Sequence, residues 1–129
     1  MENKCPVCGK DITTSPSVRL GDETLCLRCA YMEGDEALRQ RLAQAEIAKQ
    51  CDAVKELLLA KNREYGNSAL EPVGCFSGDT AEQQIRVRID DKLKRIKTIR
   101  GIAEVRVHED TEQDLIGYLV LLRVARELV

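Results

Sequence analysis

The sequence predicts a mainly α-helical protein, an antiparallel helical bundle that follows a small N-terminal ribbon. Two observations predict this arrangement. Four cysteines stand in two Cys-x-x-Cys pairs near the N-terminus. Beyond them, apolar residues recur at steps of three and four, which aligns them along one side of a helix. The chain therefore divides into a cysteine-rich module and a larger all-α domain.

The cysteine pairs are CPVC at 5–8 and CLRC at 26–29, with seventeen residues between them. Two residues between cysteines let both sulfurs reach one tetrahedral ion, and two such pairs close a four-thiolate zinc shell. Because no coordination position stays open, such a site is structural. Two disulfides or free thiols are the alternatives, but the paired array favours zinc. We expect a zinc ribbon over residues 1–33 and the all-α domain over 34–129, with these metal ligands: Cys5, Cys8, Cys26 and Cys29.

Composition narrows the function classes. The chain has no apolar run long enough to span a membrane and no signal-peptide pattern. Cys51 and Cys75 lie outside any compact disulfide pattern, so we expect reduced thiols and a cytoplasmic protein. A net charge of -2 excludes a strongly basic DNA-binding protein. The chain has only three tyrosines and one phenylalanine. These are too few for a broad stacking surface that binds single-stranded nucleic acid.

The elements follow in order along the chain. Between the cysteine pairs, Gly21-Asp22 predicts the turn of a small hairpin. A helix runs from about Asp35 to Tyr65, whether continuous or broken near its middle, and Gly66-Asn67 ends it. Residues 67–79 contain Pro72 and glycines and predict a loop.

A second helix is expected from about Thr80, which has capping-box spacing to Gln83, as far as Gly101. Its predicted buried face consists of Ile85, Ile89, Leu93 and Ile96. Residues 105–107 suggest a brief strand.

A third helix is expected from Asp110 or Thr111 to the C-terminus. From Leu115 to Leu122 it carries no charged side chain, so we predict that this third helix is the central and most buried one. Three helices leave such an apolar surface partly uncovered, which predicts self-association, with a symmetric dimer as the expected form.

Charge is separated along the second half of the chain. Residues 86–100 carry seven basic side chains against two aspartates, and an acidic segment follows. Solvated pairs within one helix, such as Asp91 with Arg95, explain most of these charges. Asp114 is different because it adjoins the apolar run, where an unpaired carboxylate is costly. It is a metal ligand together with Asp110, a capping residue of a helix that starts at Thr111, or the buried partner of a cation. The candidate cations are Arg88, Lys92 and Arg95.

Three segments follow one another along the second half of the chain: KNREYGN at 61–67, RIDDKLKR at 88–95 and DTEQDLIGY at 110–118. They resemble the pattern K..YG, R..DK..R, D(T)..DL.GY of a phage-associated nucleotide-modification domain. That domain is related to the MazG-type all-α nucleotide pyrophosphohydrolases. The resemblance covers about residues 45–128 and leaves the ribbon outside. It implies an all-α fold, often completed by dimerisation, and a nucleoside triphosphate bound through Mg²⁺.

In the catalytic relatives, a metal-activated water releases pyrophosphate and a nucleoside monophosphate. Transferred to this chain, the resemblance matches Asp91 and Asp114, and we infer that these two and Asp110 are catalytic carboxylates that bind Mg²⁺. It implies a nucleotide-binding set in which Lys92 and Arg95 contact phosphates and Tyr65 or Tyr118 contacts base or sugar. Two further positions match the pattern and complete that set, Lys61 and Arg88.

The chain departs from the MazG pattern, in which EExxE precedes ExxD. Asp114 stands at the last position of ExxD, but Thr111 replaces the glutamate, and no EExxE occurs. Pyrophosphohydrolysis and nucleotide binding without hydrolysis both stay open.

The ribbon offers a different class of function. The stretch CPVCGKDI, followed by RL and LCLRCA, resembles the zinc finger of the TraR/DksA group, which binds RNA polymerase. This resemblance covers about residues 5–30, and the finger precedes the helices here instead of following them. The alternative function is a non-catalytic adaptor or regulator that binds nucleic acid, RNA polymerase or a nucleotide signal, with the ribbon as the docking module.

Overall fold

The structure is a computed structural model that describes residues 3–100 and 109–129, and it is mainly helical. A two-stranded antiparallel sheet near the N-terminus precedes the helices. Numbered in chain order, the elements are β1 (Ser17–Leu20), β2 (Glu23–Cys26), α1 (Leu27–Glu33), α2 (Glu36–Tyr65), α3 (Ala81–Arg100) and α4 (Glu109–Leu128). They form two compact units, Met1–Cys51 and Asp52–Val129, so that α2 contributes residues to both.

The hairpin of the N-terminal unit forms as predicted. β1 and β2 pair antiparallel, with Leu20 opposite Glu23, which leaves Gly21-Asp22 as a two-residue turn. Gly21 has a φ of +62°. A type II′ turn requires this left-handed conformation at its first central residue, and glycine adopts it without steric cost.

Helix α1 has no counterpart in the sequence prediction. It is only seven residues long, and its N-cap, Cys26, makes no side-chain capping hydrogen bond. It ends at Gly34, whose backbone N–H donates to the Ala30 carbonyl at 3.0 Å. The next helix starts directly, because the Asp35 carboxylate accepts a hydrogen bond from the Leu38 backbone N–H at 2.8 Å. An acidic N-cap of this kind satisfies an amide that the first turn leaves unpaired.

The core of the N-terminal unit is small and rich in sulfur. Its buried members are three of the paired cysteines together with Leu25 and Ala30, and Cys5 is 1% exposed. Four half-buried apolar residues pack around this centre: Ile12, Val18, Leu20 and Leu42.

Both predicted ends that flank the loop are confirmed. α2 stops at Tyr65, and Gly66 follows with a φ of +64°, the left-handed conformation that terminates helices. α3 begins with a reciprocal capping box. The Gln83 backbone N–H donates to Thr80 Oγ1 at 3.3 Å, and the Thr80 backbone N–H donates to Gln83 Oε1 at 3.0 Å.

Helices α3 and α4 pack antiparallel. The start of α3 lies beside the end of α4, where Glu82 pairs with Arg126 at 3.8 Å. The middle of α3 lies beside the start of α4, where Lys92 meets Asp114 at 2.9 Å. Between these contacts the buried core is formed by Ile85, Leu122 and Ala125, with Leu70, Ile89, Tyr118 and Leu121 packed against it.

Two burial predictions are wrong. Leu93, assigned to the buried face of α3, is 50% exposed. α4 is not buried all round, because Ile116, Leu119 and Val120 are 48%, 47% and 40% exposed. Periodicity identifies apolar positions, but it does not establish that the chain supplies a neighbour to cover them. The predicted strand at 105–107 lies outside the described residues.

None of the helices in the described part of the chain is both long and apolar enough to cross a bilayer.

The capping box yields a first prediction. Thr80→Ala removes the hydroxyl acceptor at the start of α3, and we expect it to lower the free energy of unfolding of the C-terminal unit by about 1 kcal/mol. Thr98→Ala is the matched control, because the Thr98 hydroxyl donates to the Lys94 carbonyl within the same helix and caps nothing. Thermal or urea unfolding monitored by circular dichroism measures both variants. Equal stability of the two variants would show that the box contributes nothing.

Candidate functional site

The four paired cysteines converge on one point in the N-terminal unit. Their sulfur atoms all lie within 4.8 Å of one another. The Cys8 and Cys26 sulfurs are 3.7 Å apart, too far for a disulfide. Zinc–sulfur bonds of about 2.3 Å in a tetrahedron give sulfur–sulfur edges of about 3.8 Å. The cluster can therefore hold a metal ion such as zinc.

Local backbone geometry builds this cluster. In the first pair, the Gly9 backbone N–H donates to the Cys5 carbonyl at 2.8 Å, and Gly9 adopts a φ of +73° to close the turn. In the second pair, β2 ends at Cys26 and Cys29 lies in the first turn of α1. The end of a strand and the start of a helix thus place the sulfurs of the second pair beside those of the first pair.

The protonation of the thiols is strongly uneven. The backbone N–H of Cys26, followed by those of Cys8 and Val7, outweighs burial and lowers the pKa of the Cys5 thiol to about 6. The Cys29 backbone likewise lowers the pKa of Cys26. Contact with the Cys26 and Cys8 sulfurs, together with burial, raises the pKa of Cys29 to about 12. Without a cation the cluster therefore favours a mixture of thiol and thiolate, whereas a divalent metal stabilises all four thiolates.

A cleft in the C-terminal unit gathers several of the residues selected from the sequence. It has a volume of about 350 Å³, within the range of small-molecule sites. It is lined by the last turns of α2, the segment 66–70 and one side of α4. Four lining residues belong to the predicted nucleotide site: Lys61, Tyr65, Asp114 and Tyr118.

Asp114 joins three helices at the edge of this cleft. Its Oδ2 accepts from Lys92 Nζ of α3 at 2.9 Å, and its Oδ1 accepts from Lys61 Nζ of α2 at 3.3 Å. The side chains of Lys92 and Asp114 are 13% and 26% exposed, whereas that of Lys61 is 49% exposed. Lys92 is thus a largely buried partner, and Lys61 is free to turn toward solvent or a ligand.

This geometry decides between two of the roles proposed for Asp114. Capping of a helix that starts at Thr111 is wrong, because α4 already begins at Glu109 and Thr111 is buried within its first turn. The pairing with Lys92 confirms the hypothesis of a partly buried ion pair. Burial raises the pKa of the Asp114 carboxyl, but the hydrogen bonds and charges of Lys92 and Lys61 outweigh it, so its pKa lies below the usual value.

The other predicted site residues are dispersed. Arg88 lines an adjacent cavity of about 310 Å³, which shares Tyr118 with the cleft. Asp91 and Arg95 are exposed on α3 and line neither cavity. The side chain of Asp110 lies outside the described part of the structure. Within that part, the cysteine cluster is the only group of three or more side chains that could hold a metal ion, and the Mg²⁺ site stays a prediction.

Sequence reasoning missed the amide side of the cleft. Asn62 Nδ2 donates to the Gly66 carbonyl at 3.3 Å and to Asn67 Oδ1 at 2.9 Å. These bonds orient both amides where α2 ends, and both line the cleft. Asparagine near a C-terminal glycine is common at helix ends, so the sequence carried no signal that separates such an amide from a ligand-binding one.

Comparison with known proteins gave no match to any family model, curated protein or solved structure.

The cysteine geometry predicts one zinc ion per chain. Cys26→Ser should lower the zinc content sharply and leave the remaining cluster thiols reactive toward alkylation, from which bound zinc should protect them in the wild type. Cys51→Ser is the matched control, since Cys51 is exposed and outside the cluster. Metal analysis with thiol counting measures both effects. Purified wild-type protein without zinc, or full zinc content in Cys26→Ser, would contradict the assignment.

The ion pair predicts a pH-dependent contribution to stability. Asp114→Asn should lower the free energy of unfolding by about 1–3 kcal/mol at pH 7, because Lys92 keeps a neutral acceptor but loses its counter-charge. A depressed folded-state pKa stabilises the fold above the unfolded pKa of about 3.9 and loses this effect as pH falls through the folded value.

The difference between wild type and Asp114→Asn should therefore shrink below about pH 4. Chemical unfolding of the two proteins across this range tests it, and loss of metal from the ribbon in acid affects both equally. A difference that does not vary with pH would show that the charge of Asp114 contributes nothing.

Proposed function

We propose that the C-terminal unit binds a nucleotide in the cleft beside Asp114. The observation that supports this most directly is the convergence of two tyrosines, two asparagines and a half-exposed lysine around about 350 Å³. Purine and pyrimidine rings stack on aromatic faces, and amides hydrogen-bond to base or sugar edges. An ammonium group neutralises phosphate. The cleft combines all three kinds of group.

Lys61 is the residue that meets the phosphates. Its ammonium is bound to Asp114 at 3.3 Å, and its side chain is half exposed, so it can exchange the carboxylate for a phosphate oxygen at small cost. Lys92 is more buried and holds Asp114 from the other side. Arg88 in the adjoining cavity supplies a second cation across the shared Tyr118 wall.

The proposed role of Mg²⁺ concerns the same three residues, Asp114, Lys61 and Lys92. Asp114 accepts from two ammonium groups, whose positive charges would compete with a metal ion at this carboxylate. If Mg²⁺ binds with the nucleotide, the Asp114 carboxylate would hold it, and the ion would supply positive charge that neutralises the phosphates. In this form the proposal retains Mg-dependent binding of a (deoxy)nucleoside triphosphate. Among the described residues Asp114 is the only carboxylate that lines the cleft, whereas metal-assisted pyrophosphohydrolysis requires several, so binding is the better supported activity.

The ribbon has a separate role in this proposal. One zinc ion on the four cysteines stabilises the N-terminal unit, and the exposed surface of that unit is available for docking to nucleic acid or a protein. An adaptor function through this surface is the second candidate. It is favoured by apolar side chains exposed on the same unit, among them Val7 and Met32 at 53% and 68%.

The test is a panel of ribo- and deoxyribonucleoside triphosphates, nucleosides and inorganic tripolyphosphate, each with and without Mg²⁺. Binding is measured by calorimetry and thermal shift, and product formation by chromatography. We expect triphosphates to bind more tightly than nucleosides. Lys61→Met should weaken triphosphate binding about tenfold while leaving nucleoside binding unchanged, since one phosphate contact is lost.

Two controls match the site variants. Lys55→Met removes an exposed lysine of α2 that pairs with Asp52 and lies outside the cleft. Tyr65→Ala tests base stacking against Tyr31→Ala, an exposed tyrosine of the N-terminal unit. Wild-type protein that binds nothing in the panel would refute the nucleotide site, and nucleic-acid binding abolished by Cys26→Ser would support the adaptor.

Asp114→Asn separates the two roles of that carboxylate. If Asp114 holds Mg²⁺, the variant loses metal-dependent binding. If Asp114 serves only as the counter-charge of the lysines, the variant binds tripolyphosphate more tightly than wild type and without Mg²⁺, because two ammonium groups are released. Unchanged affinity for every ligand would place the phosphates elsewhere.

A further inference from the structure

Helix α4 has two apolar faces, and the described residues cover one of them. Its inner face packs against α3 through Leu122 and Ala125 and against Leu58 of α2 through Gly117. At about 100° per residue, Ile116 and Leu119 lie on the opposite side of the helix, and Val120 extends that side. All three are at least 40% exposed. Helices that are apolar on two sides belong in the interior of a bundle.

Charged residues bracket this outer face symmetrically. Glu112 lies one turn before Ile116, and Arg123 lies one turn after Leu119, all on the same side of the helix. The midpoint between Glu112 and Arg123 coincides with that between Ile116 and Leu119, at the peptide that joins Gly117 to Tyr118. A copy of the same helix running in the opposite direction therefore places acid against base at both ends and leucine against isoleucine in the centre.

We propose that two copies of the chain pair through the outer faces of their α4 helices, antiparallel and related by a two-fold axis near Gly117. The contact is isologous, so it closes as a dimer and leaves no further surface of this kind open. Each α4 then lies between its own α2 and α3 on one side and the partner's α4 on the other, which gives it the central position that its sequence predicts. Another protein's helix or a larger assembly would appear in the tests below.

Sedimentation equilibrium and light scattering of the full chain at micromolar concentration test the dimer. We expect wild type to be dimeric and Leu119→Asp to be monomeric with unchanged helical content. Lys94→Glu is the control, because Lys94 is exposed and lies on the side of α3 that faces away from its buried residues. Wild type that is monomeric, or that forms open-ended oligomers, would overturn the proposal.

Charge reversal at the two ends of the outer face tests the antiparallel orientation and leaves the apolar residues at its centre unchanged. Glu112→Arg or Arg123→Glu alone should weaken dimerisation about tenfold or more, because the two-fold axis repeats each like-charge contact. The double variant Glu112→Arg/Arg123→Glu should restore wild-type affinity. A double variant as weak as the singles, or singles as tight as wild type, would exclude the antiparallel pairing. Circular dichroism of each variant shows whether a loss of association reflects unfolding.

Discussion

A shortage of large buried side chains constrains both units of this protein. Among the described residues, the only large apolar side chains less than 5% exposed are those of Leu25 and Ile85, each at 2%. The N-terminal unit meets this constraint with sulfur: its centre is rich in cysteines, and a metal ion held by them would supply cohesion that a few small apolar residues cannot. The C-terminal unit meets it with charge, because one carboxylate of α4 is bonded to lysines from α2 and α3. In both units a polar centre carries part of the role of an apolar core.

The limits of sequence prediction follow from the same constraint. Local signals were reliable: the Gly21-Asp22 turn, the end of α2 at Gly66 and the capping box at Thr80 all form as expected. α1 was missed because seven residues carry too little periodicity, and it starts at a cysteine that contributes no side-chain cap. The contact between Lys61 and Asp114 joins positions 53 residues apart. Spacing along the chain contains no information about such a pair.

The charged residues of α3 and α4 are arranged differently in the structure than their order along the sequence suggests. The sequence suggested separate basic and acidic segments, whereas the structure brings one residue of each kind together across the two helices and leaves most of the rest in solvent. Exposed pairs within a helix, such as Glu82 with Arg86 at 3.4 Å, contribute little to stability. The pair that contributes most to stability, Lys92 with Asp114, is distinguished by its burial and not by the number of charges around it.

Gly117 has a consequence for how this chain can change by mutation. It lies in α4, where glycine costs about 1 kcal/mol relative to alanine, yet a Cβ there would approach Leu58 Cδ2 to 3.2 Å. Both residues line the cleft, so any larger side chain narrows it from the wall. The contact with Leu58 therefore favours glycine at this position against the helical preference for alanine, and a ligand in the cleft would add to the same constraint. A larger residue at position 117 is then tolerated only with a smaller one at position 58, so the two positions are expected to change together.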